Sequence, residues 1–324
     1  MKKKILGNKY RSYSSKALYS TQNLLNCWFL TGFTDADCYT LSILRNKKSR
    51  TGWVIIPSFQ IVLHQKDKAL LEQIQTYFGV GKVYKQSKES FMYQVKSVKD
   101  LTAIIAHFDK YPLITKKRAD YELFKLAINC IKNKEHLTWE GLSKMVSIKA
   151  SLNRGLSDEL KAVFSNITPI ARPLVQNLPI PDPYWLAGFV GGEGCYFVEI
   201  SSLRQDIALG FQVRLRFKLA QHIRDLPLIQ SLINYLDCGN VNIRSNKLAC
   251  DFQVTKFADL VEKINPFFKK YSLLGVKSKD FADFSKVAEL MKNKAHLTVK
   301  GLEQIREIKE GMNKRREFPD PERS

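Results

Sequence analysis

The 324-residue chain is long enough to bury a large core and reads as two domains or one large unit. Its 52 Lys and Arg against 31 Asp and Glu leave a formal charge of +21 spread along the chain, so nucleic acid is the leading partner and an anionic membrane a distant second. No apolar run approaches the ~18 residues of a membrane-spanning helix, and the six cysteines include no C-x-x-C pair, which argues against a zinc site and against a disulfide framework.

Residues 1–23 carry Lys2, Lys3, Lys4, Lys9, Arg11 and Lys16 among Ser, Tyr and Asn, with no acid before Asp35. This basic leader reads either as an organellar targeting segment or as a disordered extension, and is excluded from the fold. A first folded unit is predicted over 24–164. Its opening helix starts near Gln22–Leu24 and runs through Leu30-Thr31-Gly32-Phe33-Thr34-Asp35-Ala36-Asp37. Two strands follow, Tyr39–Leu44 and Val54–His64, joined by the basic loop Arg45–Gly52. Then come a helix over Lys66–Phe78, a break at Gly79–Gly81, a hairpin of Lys82–Lys85 and Phe91–Val95, and helices from Val98 to Phe164.

Residues 165–183 change character: five of the eleven prolines fall there (Pro169, Pro173, Pro179, Pro181, Pro183), as expected of a stiff extended linker. A second unit over 184–316 then repeats the first in the same order, leaving a tail at 317–324. Leu186-Ala187-Gly188-Phe189-Val190-Gly191-Gly192-Glu193 answers the first motif. The stretch from Phe59 to Asp67, which includes His64, returns as Phe217 to Asp225, which includes His222. Lys132-Asn133-Lys134-Glu135-His136-Leu137-Thr138 returns as Lys292-Asn293-Lys294-Ala295-His296-Leu297-Thr298, each followed after two residues by Gly-Leu. The offset drifts from 156 residues at the motif acids to 160 at His136 and His296, which indicates duplication with small loop insertions and a pseudo-dimer in one chain. The four repeated histidines lack metal-ligand spacing and are assigned structural roles.

Each motif is apolar, carries small residues one turn apart (Gly32 and Ala36, Gly188 and Gly192) and ends on a carboxylate. Small residues at i and i+4 share a helix face and let two backbones approach closely. Packing the two helices would bring Asp37 and Glu193 together at helix C-termini, where the dipole disfavours negative charge. A cation between them, Mg²⁺ or a similar hard ion, would resolve that conflict.

The clearest binding signal is Leu209–Leu219, where Gln212, Arg214, Arg216 and Lys218 alternate with Phe211, Val213, Leu215, Phe217 and Leu219. Period-two alternation makes a strand with one apolar and one cationic face, suited to phosphates and base edges. Ser58, Gln60 and Val62 are the less charged counterparts in the first unit, so the two halves should prefer different sequences. A row over the first strand, Tyr39, Leu41, Ile43 and Arg45, is assigned to the same DNA face. Ten strand residues span ~33 Å, about one turn of duplex, so two ribbons would cover about two turns of a non-palindromic site.

On the two motifs and the matched sequence after them, the chain from about Leu24 to Arg316 resembles the single-chain LAGLIDADG homing endonucleases of the organellar intron-encoded type. The resemblance implies an α+β fold of two pseudo-symmetric αββαββα halves, with antiparallel β-saddles on duplex DNA and the motif helices at the centre. It makes Asp37 and Glu193 the metal-binding and catalytic carboxylates of a metal-dependent DNA endonuclease that breaks both strands. Mg²⁺, or another divalent ion such as Mn²⁺, would serve, with Ca²⁺ supporting binding without cleavage. It also implies basic residues beside the acids, and Lys117 and Lys277 stand at matched positions 160 apart. Asp35 faces Gly191 in the alignment of the repeats, so it reads as structural. Cys38 stands where the motif ordinarily has glycine, as at Gly194. A monomer without membrane association, located in the mitochondrion, follows from the same resemblance. The rivals are an RNA maturase that binds its own intron RNA, and a DNA-binding protein that has lost cleavage.

Overall fold

The same unit is built twice. The computed structural model describes residues 25–35, 38–153, 155–202, 210–313 and 316; the basic leader, Asp37 and the tail at 317–324 lie outside the described residues. The first unit opens with helix α1 (Cys27–Thr34), whose first turn is capped by the Asn26 side chain accepting from Trp28 and Phe29 N–H. Strands β1 (Cys38–Arg45) and β2 (Trp53–His64) follow, then α2 (Lys68–Phe78), β3 (Lys82–Lys85), β4 (Ser90–Val95), α3 (Val98–Lys110), α4 (Arg118–Lys132), α5 (Trp139–Ser151) and α6 (Asp158–Val163). No helix or strand forms between α6 and α7 (Pro183–Glu193), which starts with Asp182 as cap and proline in its first turn. The second unit continues with β5 (Gly194–Ser202), β6 (Phe211–His222), α8 (Leu226–Leu236), β7 (Asn240–Ile243) and β8 (Ala249–Val254). The short helices α9 (Phe257–Asp259) and α10 (Asn265–Lys270) flank a π turn, and α11 (Gly275–Lys292) and α12 (Val299–Glu310) end the unit.

The sheets are antiparallel with matching orders, β1-β2-β4-β3 and β5-β6-β8-β7. Helices cover one face of each, around matched aromatic clusters. Tyr39 packs on Phe59, Phe108, Tyr121 and Phe124, and Tyr196 on Phe217, Phe268, Phe281 and Phe284. The repeated histidines have structural work in the first pair: His64 and His222 accept from Lys66 and Arg224 N–H, and so cap the short 3-10 turns Gln65–Asp67 and Ile223–Asp225. Thr138 and Thr298 cap α5 and α12 in the same manner. The helix predicted over Lys66–Phe78 is therefore a capped turn followed by a helix from Lys68.

Helices α1 and α7 pack against each other at backbone distance. A Cβ on Gly32 would lie 1.9 Å from the Trp185 carbonyl oxygen, and one on Gly188 would lie 1.9 Å from that of Phe29. Each glycine is seated on the other helix, which is the close approach expected from the motif. Asp35, just past α1, is buried and accepts from Ile114 N–H, from the Thr115 N–H and hydroxyl (the latter at 2.6 Å), and from Trp185 Nε1 at 2.9 Å. It thus joins α1 to the loop before α4 and to the second motif helix, a structural role. Burial pushes its carboxyl from 3.8 to about 6, against the pull of these donors and of Lys117.

Gly188→Ala should cost ~1–3 kcal/mol or more, because the obstruction is backbone that cannot step aside; a melting temperature equal to wild type would show the helices further apart than described. Asp35 supplies a second test. Its raised carboxyl makes the folded protein hold a proton that the unfolded chain has released, so its contribution is full below pH ~4 and lost as pH rises through ~6, on the order of 3 kcal/mol in all. The stability difference between wild type and Asp35→Asn should therefore move in favour of the variant from pH 4 to pH 7. Parallel denaturation curves at the two pH values would contradict the assignment.

Candidate functional site

Residues opposite one another in an antiparallel pair share a sheet face. The face left open by the helices therefore carries Thr40, Ser42 and Leu44 of β1, Ser58, Gln60 and Val62 of β2, Met92 and Gln94 of β4, and Lys82 and Tyr84 of β3. Gln94 bridges this row, donating to Gln60 and accepting from the Tyr84 hydroxyl. Ser58 lies on this face but is buried, and its hydroxyl has no hydrogen-bond partner among the described residues.

The expectation for β1 is corrected here. Tyr39, Leu41 and Ile43 are at most 5% exposed and point into the helix-covered core, with Tyr39 at the centre of the aromatic cluster. Arg45 is exposed on that same side, ion-paired to Glu159 at 2.9 Å and lying over the Trp53 ring. The alternation of large apolar and small polar residues from Tyr39 to Ile43 already marks Thr40 and Ser42 as the outward row.

The second sheet opens a more charged face: Phe197 and Glu199 of β5, Gln212, Arg214, Arg216 and Lys218 of β6, Asp251 and Gln253 of β8, and Asn240 and Asn242 of β7. The predicted cationic row is present, but two members are paired within it. Arg216 binds Glu199 and lies over the Phe197 ring, 5.0 Å from its centroid. Lys218 reaches Asp251 at 2.8 Å, and Asp251 also receives a two-pronged contact from Arg244. Burial opposes the Asp251 charge, but Arg244 and Lys218 outweigh it and hold the carboxyl below the usual range. Arg214 is exposed with no hydrogen-bond or ion partner among the described residues. Glu199, Arg244 and Asp251 escape a reading by alternation, because register across three strands is needed to put them beside β6.

Glu193 is the last residue of α7 and is partly buried. The Lys277 ammonium, at the start of α11, donates at 2.6 Å to the carbonyl of Gly194, the residue directly after it. Lys117 takes the matched place before α4, half-buried, where its charge eases ionisation of Asp35. The structure thus brings Lys277 to the end of the second motif helix, where β5 begins directly after Glu193. Asp37 lies outside the described residues. No group of three or more His, Cys, Asp or Glu side chains forms a metal cage among the described residues. Cys27, Cys130, Cys195, Cys238 and Cys250 are free thiols, not joined in disulfides.

Comparison with known proteins places both repeats. The LAGLIDADG endonuclease family matches over residues 30–128 and again over 186–288. Probable intron-encoded endonucleases 3 and 2 of Neurospora crassa are 37% and 39% identical over 302 residues, covering 91% and 89% of this chain. The chain spans 56% and 65% of the length of those two relatives. Among solved structures, the I-SmaMI LAGLIDADG homing endonuclease bound to cleaved DNA is 44% identical and superposes with a TM-score of 0.88, covering 90% of this chain and 98% of its own. I-SmaMI has also been solved on uncleaved DNA with calcium ions, and with two lysines 159 positions apart both replaced by alanine. With two matched motifs, matched strand orders and this degree of identity, the chain belongs to the LAGLIDADG endonuclease family.

Proposed function

We propose that the chain is a site-specific homing endonuclease that acts as a monomer and breaks both strands of a long, non-palindromic duplex DNA target. The observation that carries this reading is the Lys277 ammonium on the Gly194 carbonyl, next to Glu193, where the second motif helix passes into the first strand of an open polar sheet. The unequal charge of the two open faces supports a target whose halves differ in sequence. Relatives named for an ND4 intron and for a Cox1 intron support an origin in an organellar intron and a mitochondrial location.

We assign Glu193, and from sequence Asp37, as the carboxylates that hold divalent metal. An open site of one or two acids, completed by oxygens of the substrate phosphates, suits Mg²⁺ or Mn²⁺ better than a closed protein cage. When bound, such an ion neutralises charge at the scissile phosphate and acidifies water. The protein's own contribution is to fix Glu193 at the end of a packed helix and to set Lys277 on the carbonyl of the next residue, with Lys117 in the matched place before α4, where an ammonium can offset phosphate charge. Their spacing of 160 residues, against 159 for the two lysines replaced in I-SmaMI, supports treating them as a functional pair. On the ribbon, Arg216 and Lys218 are held in place by Glu199 and Asp251, and Arg214 is the side chain most available to reach a base or phosphate.

The direct test is to select cleaved sequences from a randomised duplex library in Mg²⁺, then assay variants on the selected site. Glu193→Gln and Asp37→Asn should each abolish double-strand cleavage while keeping specific binding. A Glu193→Gln protein that cuts both strands near the wild-type rate would remove this acid from the mechanism. Strong binding to structured intron RNA, with no duplex cleaved, would favour a maturase instead. Arg214→Ala should relax preference at one or two base pairs, at about 1–3 kcal/mol per lost bidentate contact. Uniform weakening across all sequences would show that Arg214 holds phosphate rather than reads bases.

A further inference from the structure

The repeated stretch that ends at Asp67 and Asp225 has so far only a capping role. Each of these acids closes a 3-10 turn fixed by the preceding histidine, and each crosses to the opposite half. Asp67 Oδ1 accepts from Val276 N–H at 2.6 Å, and Asp225 Oδ1 accepts from Lys116 N–H at 2.7 Å. Val276 and Lys116 are the residues immediately before Lys277 and Lys117. The two contacts are related by the repeat and are made independently.

Resting on the endonuclease reading, we propose that Asp67 and Asp225 are positioning residues that hold the active-site lysine of the other half, so that each lysine is set by a carboxylate from across the pseudo-dyad. The geometry is demanding on both sides. Gly275 has φ +65°, and a Cβ there would lie 2.3 Å from the Asp67 carboxylate oxygen, so the acid occupies the space that a side chain would take. Asp225 is almost fully buried, at 3% exposure. A buried carboxylate that accepts a backbone N–H fixes the loop because leaving that group unpaired is costly.

The two loops are not held alike. The first is also gripped from its own half, since Asp35 accepts from Ile114 and Thr115. It is further tied to the linker, where the Lys116 ammonium donates to the Val175 carbonyl at 2.8 Å. In the second half the partners of that own-half grip are both glycine, Gly191 for Asp35 and Gly275 for Thr115. The Lys277 side chain keeps an own-half contact with the Gly194 carbonyl, but the backbone before it depends more on Asp67 than the backbone before Lys117 depends on Asp225.

The test is single-turnover cleavage of a supercoiled plasmid carrying the selected site, with each strand labelled, for wild type, Asp67→Ala, Asp67→Asn and Asp225→Ala, alongside duplex binding by each. Asp67→Ala should slow one strand on the order of 10- to 100-fold, as expected of a small displacement of a reacting group, and accumulate nicked circles. Asp225→Ala should slow the opposite strand by less, and Asp67→Asn, which keeps an acceptor oxygen, should recover much of the loss. Binding should stay within about threefold of wild type, which also reports that the variants fold; Val276 amide exchange should quicken in Asp67→Ala alone. Equal slowing of both strands, or slowing accounted for by weakened binding, would overturn the proposal and leave the endonuclease reading intact. Wild type that cuts no duplex would overturn that reading, and this inference with it.

Discussion

Everything in the molecule is referred to one contact, the mutual seating of Gly32 and Gly188 on the backbone of the opposite motif helix. At these two positions there is no room for a side chain, so the depth of packing there is set by main-chain atoms rather than by adjustable rotamers. Each sheet begins shortly after its motif helix, β5 directly after Glu193. The placement of the two open faces therefore follows from the helix pair, and so does the position of Glu193. Asp35 reinforces the arrangement by accepting from Trp185 on the partner helix.

The open face of the second sheet shows how a strongly basic chain can carry acids among its exposed cations. Asp251 sits between Lys218 and Arg244, and Glu199 holds Arg216. The half-exposed Arg216–Glu199 pair contributes little to stability, whereas the carboxylate of Asp251 is buried and needs its two cations. The value of these pairs lies in ordering long side chains before a ligand arrives, which lowers the entropy lost on binding. The first sheet reaches a comparable order with neutral groups, through Tyr84, Gln94 and Gln60. The halves thus share topology while differing in the chemistry they offer a groove.

Much of this was legible in the sequence because duplication writes each structural device twice. The strands, the cationic row of β6 and the central glycines are legible from alternation and from small residues one turn apart, and the matched lysines from the 160-residue offset they share with His136 and His296. The exception is β1, where the expectation puts Tyr39, Leu41 and Ile43 on DNA although their alternation with Thr40 and Ser42 sends them to the core. Register between strands is set by long-range pairing, so Glu199, Arg244 and Asp251 could not be placed beside β6 from local pattern. The crossed contacts of Asp67 and Asp225 were equally hidden. Repetition marks such residues as shared, but says nothing of which half receives them.

The seat of the Asp67 carboxylate on Gly275 has a consequence for how chains of this kind can be rebuilt. Halves of related proteins invite exchange, since each has its own sheet and its own core. Yet a donor second half with a side chain at the position of Gly275 would push the recipient's Asp67 carboxylate from its seat unless the backbone there also changed, and a donor first half without that acid would leave Val276 N–H unanswered. Residues 67 and 275 are 208 positions apart but form one heritable unit. Recombination across the linker therefore has to match this pair as well as the glycines of the motif helices.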